Sequence, residues 1–142
     1  MERWQFLLKS GNDYFDQGQW LKAEQYYQSA FNLLEDQWLY GSQYEDLLIA
    51  WICASHNLAT LFETIGKLDA SLQYLLVAHN KVQHISENEE SSPSLQSLAF
   101  NAMKTTINPI LLYTKKHPIC DNCKQEWLQI DSIISCENMT KH

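Results

Sequence analysis

The sequence predicts an all-α protein built from helical hairpins. Apolar residues recur every three or four positions along most of the chain, as they do on the buried face of a helix. Only 4 Gly and 3 Pro interrupt 142 residues, of which 45% are hydrophobic and 12% aromatic. This composition favours packed helices, and the length is that of one domain with a sizeable core. We therefore predict a single domain over residues 1–142.

The first predicted hairpin occupies residues 4–37. Its first helix covers about residues 2–16, and Gly18 ends that helix because glycine readily adopts the turn conformation. Its second helix runs from about Trp20 to Trp38. The small and aromatic residues expected where the two helices touch are Gly11, Tyr14, Gly18, Trp20, Ala23, Tyr27 and Ala30.

The second predicted hairpin occupies residues 43–86 and has an extended first helix. Gly41 supplies a stop signal, and Ser42 with Glu45 forms a capping-box pattern that predicts the helix start. That helix should run to about Ile65. Each member of the first set has a counterpart 48 residues later, namely Ala59, Phe62, Gly66, Leu68, Ser71, Leu75 and Ala78. We interpret this as an internal repeat.

Capping helices are predicted over residues 92–136. Ser92 is a candidate N-cap and Pro93 a candidate first helical residue. Pro109 should kink or end this helix, because proline lacks the amide donor and clashes one turn back. A last helix is expected over about residues 122–135. These helices would cover the apolar face that a two-repeat array leaves open.

The small and aromatic residues of both hairpins resemble the tetratricopeptide repeat (TPR) family, whose unit is a 34-residue helix–turn–helix. The resemblance covers residues 4 to about 85, although the period here is 48. The chain is similar to a small bacterial TPR protein of unknown function. The fold that this implies is a TPR-like α-α superhelix of two helical-hairpin repeats with C-terminal capping helices.

The TPR resemblance also implies a function. In that family the first helix of each repeat lines a concave groove that holds a peptide. Carried onto this chain, the groove includes Gln5 and Cys53, and Phe15 is its expected aromatic anchor. The predicted peptide-binding residues are Leu8, Asn12, Phe15, His56, Asn57, Thr60 and Glu63. The resemblance thus implies a non-enzymatic protein- or peptide-binding scaffold or adaptor.

Charge and composition narrow the expected partner and location. The net charge is −7, and residues 1–91 hold 5 Lys and Arg against 13 Asp and Glu. An acidic body disfavours nucleic acid and anionic lipid, so we expect a basic or neutral polypeptide. The longest apolar run, residues 47–54, is too short to span a membrane. No secretory signal opens the chain, and four irregularly spaced cysteines suit a reducing compartment, which predicts a cytoplasmic protein.

One segment offers an alternative function. His117, Cys120, Cys123 and Cys136 could ligate zinc, or the CxxC pair could act in redox chemistry. Against zinc, a second CxxC pair is missing, and against redox chemistry, no βαβ pattern surrounds the cysteines. We therefore predict no cofactor and no enzyme activity, since no Ser/His/Asp set, phosphate loop or HExxH helix is present. A metal- or redox-responsive protein and a homodimerising module remain the alternatives.

Overall fold

The computed structural model describes residues 2–41 and 43–117, and this part of the chain is all α-helical, as predicted. Five helices follow one another without a strand in the described ranges. They are α1 (Arg3–Asp16), α2 (Trp20–Tyr40), α3 (Glu45–Thr64), α4 (Leu68–Glu87) and α5 (Pro93–Lys116). The predicted helix over residues 122–135 lies outside the described residues.

The chain forms two compact units, Met1–Ala78 and His79–His142, and the boundary falls within α4. In the first unit α1 packs against α2 and α2 against α3. Its central core cluster consists of buried side chains from α2 and α3 together, namely Ala23, Tyr27, Leu58, Leu61 and Phe62.

Two glycines form equivalent turns, one after α1 and one after α3. Gly18 has φ 74° and Gly66 has φ 83°, the left-handed region that favours glycine. The amide of Gly18 donates to the Phe15 carbonyl at 3.0 Å, and the next amide donates to the Tyr14 carbonyl at 2.9 Å. The same two bonds recur after α3, 48 residues later, at 3.1 and 2.8 Å. Both turns are therefore Schellman motifs. In this motif a glycine ends the helix, and amides beyond the helix donate hydrogen bonds to the last carbonyls of the helix.

Helices α1 and α2 approach closely at Gly11. A methyl group placed on Gly11 would lie 2.5 Å from the Tyr27 ring, so only glycine fits there without movement. The Tyr27 hydroxyl donates to Asn12 Oδ1 at 2.6 Å, which fixes the ring across the crossing. Burial raises the pKa of Tyr27 to about 12, with a further contribution from the Asp16 carboxylate. The aromatic ring of Tyr27 thus takes the place that a side chain on Gly11 would need.

An aromatic cluster joins α2, α3 and the first half of α4 within the first unit. The ring centroid of Phe31 lies 5.6 Å from that of Trp51 and 5.4 Å from that of Tyr74. Tyr74 also stacks on Phe62 at 5.7 Å. The polar ends of these rings are satisfied, because Trp51 Nε1 donates to Glu35 Oε1 at 2.5 Å and the Tyr74 hydroxyl to Gln28 Oε1 at 3.0 Å. Tilted and edge-on rings at these separations add to the stability that burial of their area provides.

Helix α3 begins later than the capping box predicts. Its N-cap is Tyr44, and Glu45 is the first helical residue, not the third. The predicted Ser42–Glu45 capping box is therefore wrong. Glu45 and Asp46 instead lie in the first turn, where the positive end of the helix dipole stabilises their carboxylates.

Helix α3 is also the most apolar helix. The helix has 20 residues and contains an apolar window of 18 residues with a mean hydropathy of 1.2. By length and composition alone it could cross a membrane, although no single apolar run is long enough. Of that apolar window, 61% is buried inside the protein, a pattern that the core helix of a water-soluble protein also produces.

The second unit contains the end of α4 and helix α5. Ser92 is the N-cap of α5, and its hydroxyl accepts from the Leu95 amide at 3.2 Å, as predicted. The helix does not end at Pro109 but continues to Lys116. Ile107 and Ile110 are fully buried on either side of the proline. Of the two outcomes predicted for Pro109, a kink or a helix end, the end is not observed. The burial of Ile107 and Ile110 offsets the backbone hydrogen bond that Pro109 cannot make.

A buried polar pair lies in the second unit. His79 Nδ1 is 2.9 Å from Thr106 Oγ1, and both residues are almost wholly buried. Thr106 Oγ1 donates to the Met103 carbonyl at 3.1 Å, so its oxygen accepts from His79 Nδ1–H. Burial lowers the pKa of His79, and its Nε2 has no hydrogen-bond partner in the described part of the protein. His79 is therefore a neutral core histidine.

Candidate functional site

A surface cleft of about 360 Å³ separates α1 from α3 in the first unit. Its walls combine aliphatic, aromatic and acidic side chains with one thiol. The described residues that line it are Glu2, Trp4, Gln5, Leu8, Tyr44, Asp46, Ile49, Ala50 and Cys53.

One wall of the cleft is a single face of α3. Asp46, Ile49, Ala50 and Cys53 lie at positions i, i+3, i+4 and i+7, which an α-helix places on one side. Ala50 is buried at the base of this wall, whereas Ile49 is 47% exposed. Tyr44, the N-cap of α3, is 40% exposed and extends the wall beyond the helix start. This face thus presents an aliphatic surface flanked by a carboxylate and a phenol.

The other wall is formed by the first turns of α1. Trp4 and Leu8 are half-buried and lie four residues apart on one helical face. The Trp4 indole N–H donates to the Glu2 carboxylate, and the Glu2 amide donates to Gln5 Oε1 at 2.8 Å. These two bonds tie the start of α1 together. They hold an indole ring and a carboxylate side by side at the entrance to the cleft.

The electrostatics of the cleft favour positive charge. Glu2 and Asp46 contribute carboxylates from opposite walls, and none of the described lining residues is Lys, Arg or His. Aromatic faces attract cations through their quadrupole, and this attraction strengthens as water is excluded. The arrangement can therefore bind an apolar group and a cation together.

The predicted site residues of the first hairpin lie in different environments. Leu8 lines the cleft, together with Gln5. Asn12 is exposed but accepts the hydrogen bond from the Tyr27 hydroxyl. Phe15 is half-buried against the core cluster and meets the Trp20 ring edge-on at 5.2 Å. Phe15 therefore contributes to the packing of this cluster.

The predicted site residues of the second hairpin lie further along α3 than the cleft. His56 and Asn57 are half-buried, and burial lowers the pKa of His56. The His56 Nε2 atom is buried and has no partner within the described ranges. Thr60 is exposed, and its carbonyl accepts from Thr64 Oγ1 at 2.8 Å, while Glu63 is half-buried. The described lining of the cleft includes none of these four; Cys53, one turn earlier, belongs to it.

The predicted metal or redox segment falls almost wholly outside the described residues. His117 follows the end of α5, and its ring lies 4.8 Å from the Tyr113 ring. Cys120, Cys123 and Cys136 belong to the part of the chain that is not described. Across residues 2–41 and 43–117, no group of three His, Cys, Asp or Glu side chains could hold a metal ion.

Sequence reasoning missed most of the cleft. It named Gln5, Leu8 and Cys53 but not Trp4 or Asp46. A signal was present on α3, where one carboxylate, two aliphatic residues and a cysteine share a helical face. The resemblance placed both first helices along one groove but centred it further along each helix, because the position of the opening depends on how α1 and α3 pack against α2.

Helical hairpins with glycine-capped turns define this chain as an all-α protein, and an open, acidic-aromatic cleft lies between α1 and α3. Residues 2–142 match the family described as "Protein of unknown function (DUF2753)". The chain belongs to this family.

The family match corrects the predicted TPR membership, because DUF2753 is not a TPR family. Three of the glycines that suggested TPR have local roles in this structure. Glycine ends each helix through a Schellman motif, and Gly11 admits the Tyr27 ring at the crossing. Any helical hairpin with these contacts would show similar spacings. No curated protein and no solved structure matches the chain.

Proposed function

We propose that this protein is a non-enzymatic scaffold that binds a segment of another polypeptide in the cleft between α1 and α3. The observation that carries the proposal is the mixed lining of the cleft, with Leu8 and Ile49 as aliphatic contacts and Trp4 and Tyr44 as aromatic ones. Aromatic and aliphatic side chains at the centre of a contact, surrounded by polar groups, are typical of protein-binding surfaces.

The size and openness of the cleft favour a polypeptide over a metabolite. A volume of about 360 Å³ lies at the lower end of the range for small-molecule pockets, which enclose most of their ligand. Here Tyr44 and Ile49 are 40% and 47% exposed, so a ligand would remain partly in contact with solvent. A peptide can insert one or two side chains while its remaining length lies across α1 and α3.

The internal repeat supports the same proposal. The two Schellman turns are 48 residues apart and set α1 and α3 as the first helices of successive hairpins. We propose that the hairpins stack as an α-α superhelix in which these first helices share a binding face. Such stacked hairpins commonly bind extended partners along one surface.

The experiment compares two variants that carry the same new charge at exposed apolar positions. Ile49→Lys places a cation in the cleft, whereas Leu21→Lys places one on α2 at a residue that is 69% exposed and does not belong to the described lining. Wild type and both variants are tested against an array of short peptides of random sequence, and circular dichroism checks that all three are folded.

We expect peptides that bind wild type and Leu21→Lys to be lost by Ile49→Lys, with a binding free energy weaker by about 2 kcal/mol or more. Each peptide that binds is also added in soluble form, and only specific binding to the array should be reduced by this competition. If the same peptides bind all three proteins equally well, the cleft does not bind polypeptide and the proposal fails.

A further inference from the structure

We infer that the cleft between α1 and α3 recognises a basic side chain, arginine or lysine, that a partner polypeptide inserts next to an apolar residue. This inference rests on the proposed function and specifies the chemistry of the partner. Glu2 and Asp46 would pair with the cation, and Trp4 and Tyr44 would contact it through their ring faces.

Carboxylates and aromatic rings are paired in one cleft. Glu2 is held beside the Trp4 ring by the indole N–H, so its carboxylate is already oriented. A carboxylate can accept about four hydrogen bonds, and the Trp4 indole and the Gln5 backbone amide use two of them. The remaining lone pairs suit the several N–H donors of a guanidinium or an ammonium group. A bound cation would therefore complete an arrangement that the apo protein has partly organised.

The first unit as a whole is acidic. Residues 1–78 contain 4 Lys and Arg against 10 Asp and Glu, a net charge of −6. This field attracts cations and repels acidic segments, and it reinforces the local effect of Glu2 and Asp46. No described lining residue carries a cation that would neutralise these two acids from within the cleft.

The aliphatic lining of the cleft favours a side chain on a polypeptide over a free amine. The cleft has an aliphatic surface formed by Leu8, Ile49 and Ala50, which a small hydrated amine would leave uncovered. Arginine and lysine carry aliphatic stems that pack on such surfaces while the charged head stays with the carboxylates. A neighbouring apolar residue of the partner would cover the exposed part of Ile49.

Cys53 provides a direct probe of occupancy, because it is exposed and lines the cleft. The full chain is treated with iodoacetamide, and the rate of Cys53 alkylation is measured by mass spectrometry of the Cys53 peptide. Mapping this peptide separates Cys53 from the other three cysteines. The probes are acetylated, amidated peptides with a central arginine between leucines, the same peptides with citrulline in place of arginine, and free spermidine.

We expect the arginine peptide to slow Cys53 alkylation at concentrations at least about tenfold lower than the citrulline peptide. A tenfold difference corresponds to the loss of one charge-assisted contact. Citrulline keeps the shape of arginine but has a carbonyl oxygen in place of one nitrogen, which removes the charge and two of the five N–H donors. Protection by the arginine peptide should weaken as salt is added, since partly exposed charges are screened.

Matched charge variants test which acids are responsible. The double variant Glu2→Gln, Asp46→Asn removes the two acids of the cleft. The control Asp13→Asn, Glu45→Gln removes one exposed acid from each of the same helices, neither of which belongs to the described lining. Both variants have the same net charge, so a general effect of the protein's charge would reduce the preference for arginine over citrulline equally in both.

The inference is supported if only the cleft variant loses its preference for arginine over citrulline by about tenfold. It is overturned if arginine and citrulline peptides protect Cys53 equally, if both variants lose the preference together, or if spermidine protects as well as the arginine peptide. Equal protection by both peptides would still support polypeptide binding. If no peptide protects Cys53, the proposed function itself fails.

Discussion

The two hairpins share their turns but differ in the burial of their first helix. Only 2 of the 14 residues of α1 are buried, whereas 11 of the 20 residues of α3 are. The turns after both helices have the same hydrogen bonds and a glycine of positive φ. The repeat therefore preserves the residues that turn the chain, while burial follows the position of each helix in the fold. The lightly buried helix α1 keeps side chains available to line a cleft against α3.

The largest expected effect tests this difference in burial at one pair of equivalent positions. Leu61 of α3 is fully buried in the core cluster, and Asp13, 48 residues earlier in α1, is exposed. Leu61→Ala should lower the free energy of unfolding by about 2–5 kcal/mol, because it removes buried methyl groups and leaves a cavity. Asp13→Ala should change it by about 0.5 kcal/mol or less. Urea unfolding of both variants measures the two values, and similar losses would contradict the burial difference.

A smaller effect is expected where α1 crosses α2. Gly11→Val should lower the free energy of unfolding by about 1–3 kcal/mol, because its side chain would overlap the Tyr27 ring. The equivalent residue in α3 is Ala59, which is buried with a side chain present. The first hairpin thus packs more tightly at this position than the second.

A double-mutant cycle identifies the Tyr27 ring as the cause. In a Tyr27→Ala background, which removes the ring, Gly11→Val should be nearly neutral. An unchanged penalty in that background would show that the backbone of α1, and not the ring, excludes the side chain.

The smallest effect concerns pH and distinguishes the hairpins at another equivalent pair. Leu8 in α1 corresponds to His56 in α3, and burial lowers the pKa of His56. The unfolded chain therefore binds a proton more readily than the folded one. Stability should be complete above about pH 6.5 and should decline as the pH falls from there towards the folded-state pKa. His79, whose pKa is also lowered by burial, contributes in the same direction.

The measurement is the thermal midpoint as a function of pH. His56→Leu, which copies the residue of the first hairpin, should reduce the loss of stability on acidification, and the remaining slope reports on His79. His84 is exposed, so His84→Leu serves as the control, which removes a histidine without changing a buried site. A profile that responds equally to both substitutions would rule out His56 as a source of the pH dependence.

The sequence by itself determined the helices and several of their ends. Gly18 and Gly66 marked two turns correctly, since glycine alone adopts positive φ without strain. Ser92 marked the start of α5, since a hydroxyl satisfies a free amide of the first turn. These features depend on the few residues around them, and such local requirements can be recognised in sequence.

The tertiary structure decided the features that local rules could not. Pro109 is tolerated because Ile107 and Ile110 are buried on both sides of it, and their burial depends on the packing of the second unit. The cleft exists because α1 and α3 both lie against α2 and leave a space between their own first turns. The residues that line it come from two stretches more than 30 positions apart, and nothing in either stretch specifies the other. Their meeting is a property of helix packing, which the free energy of the whole core determines.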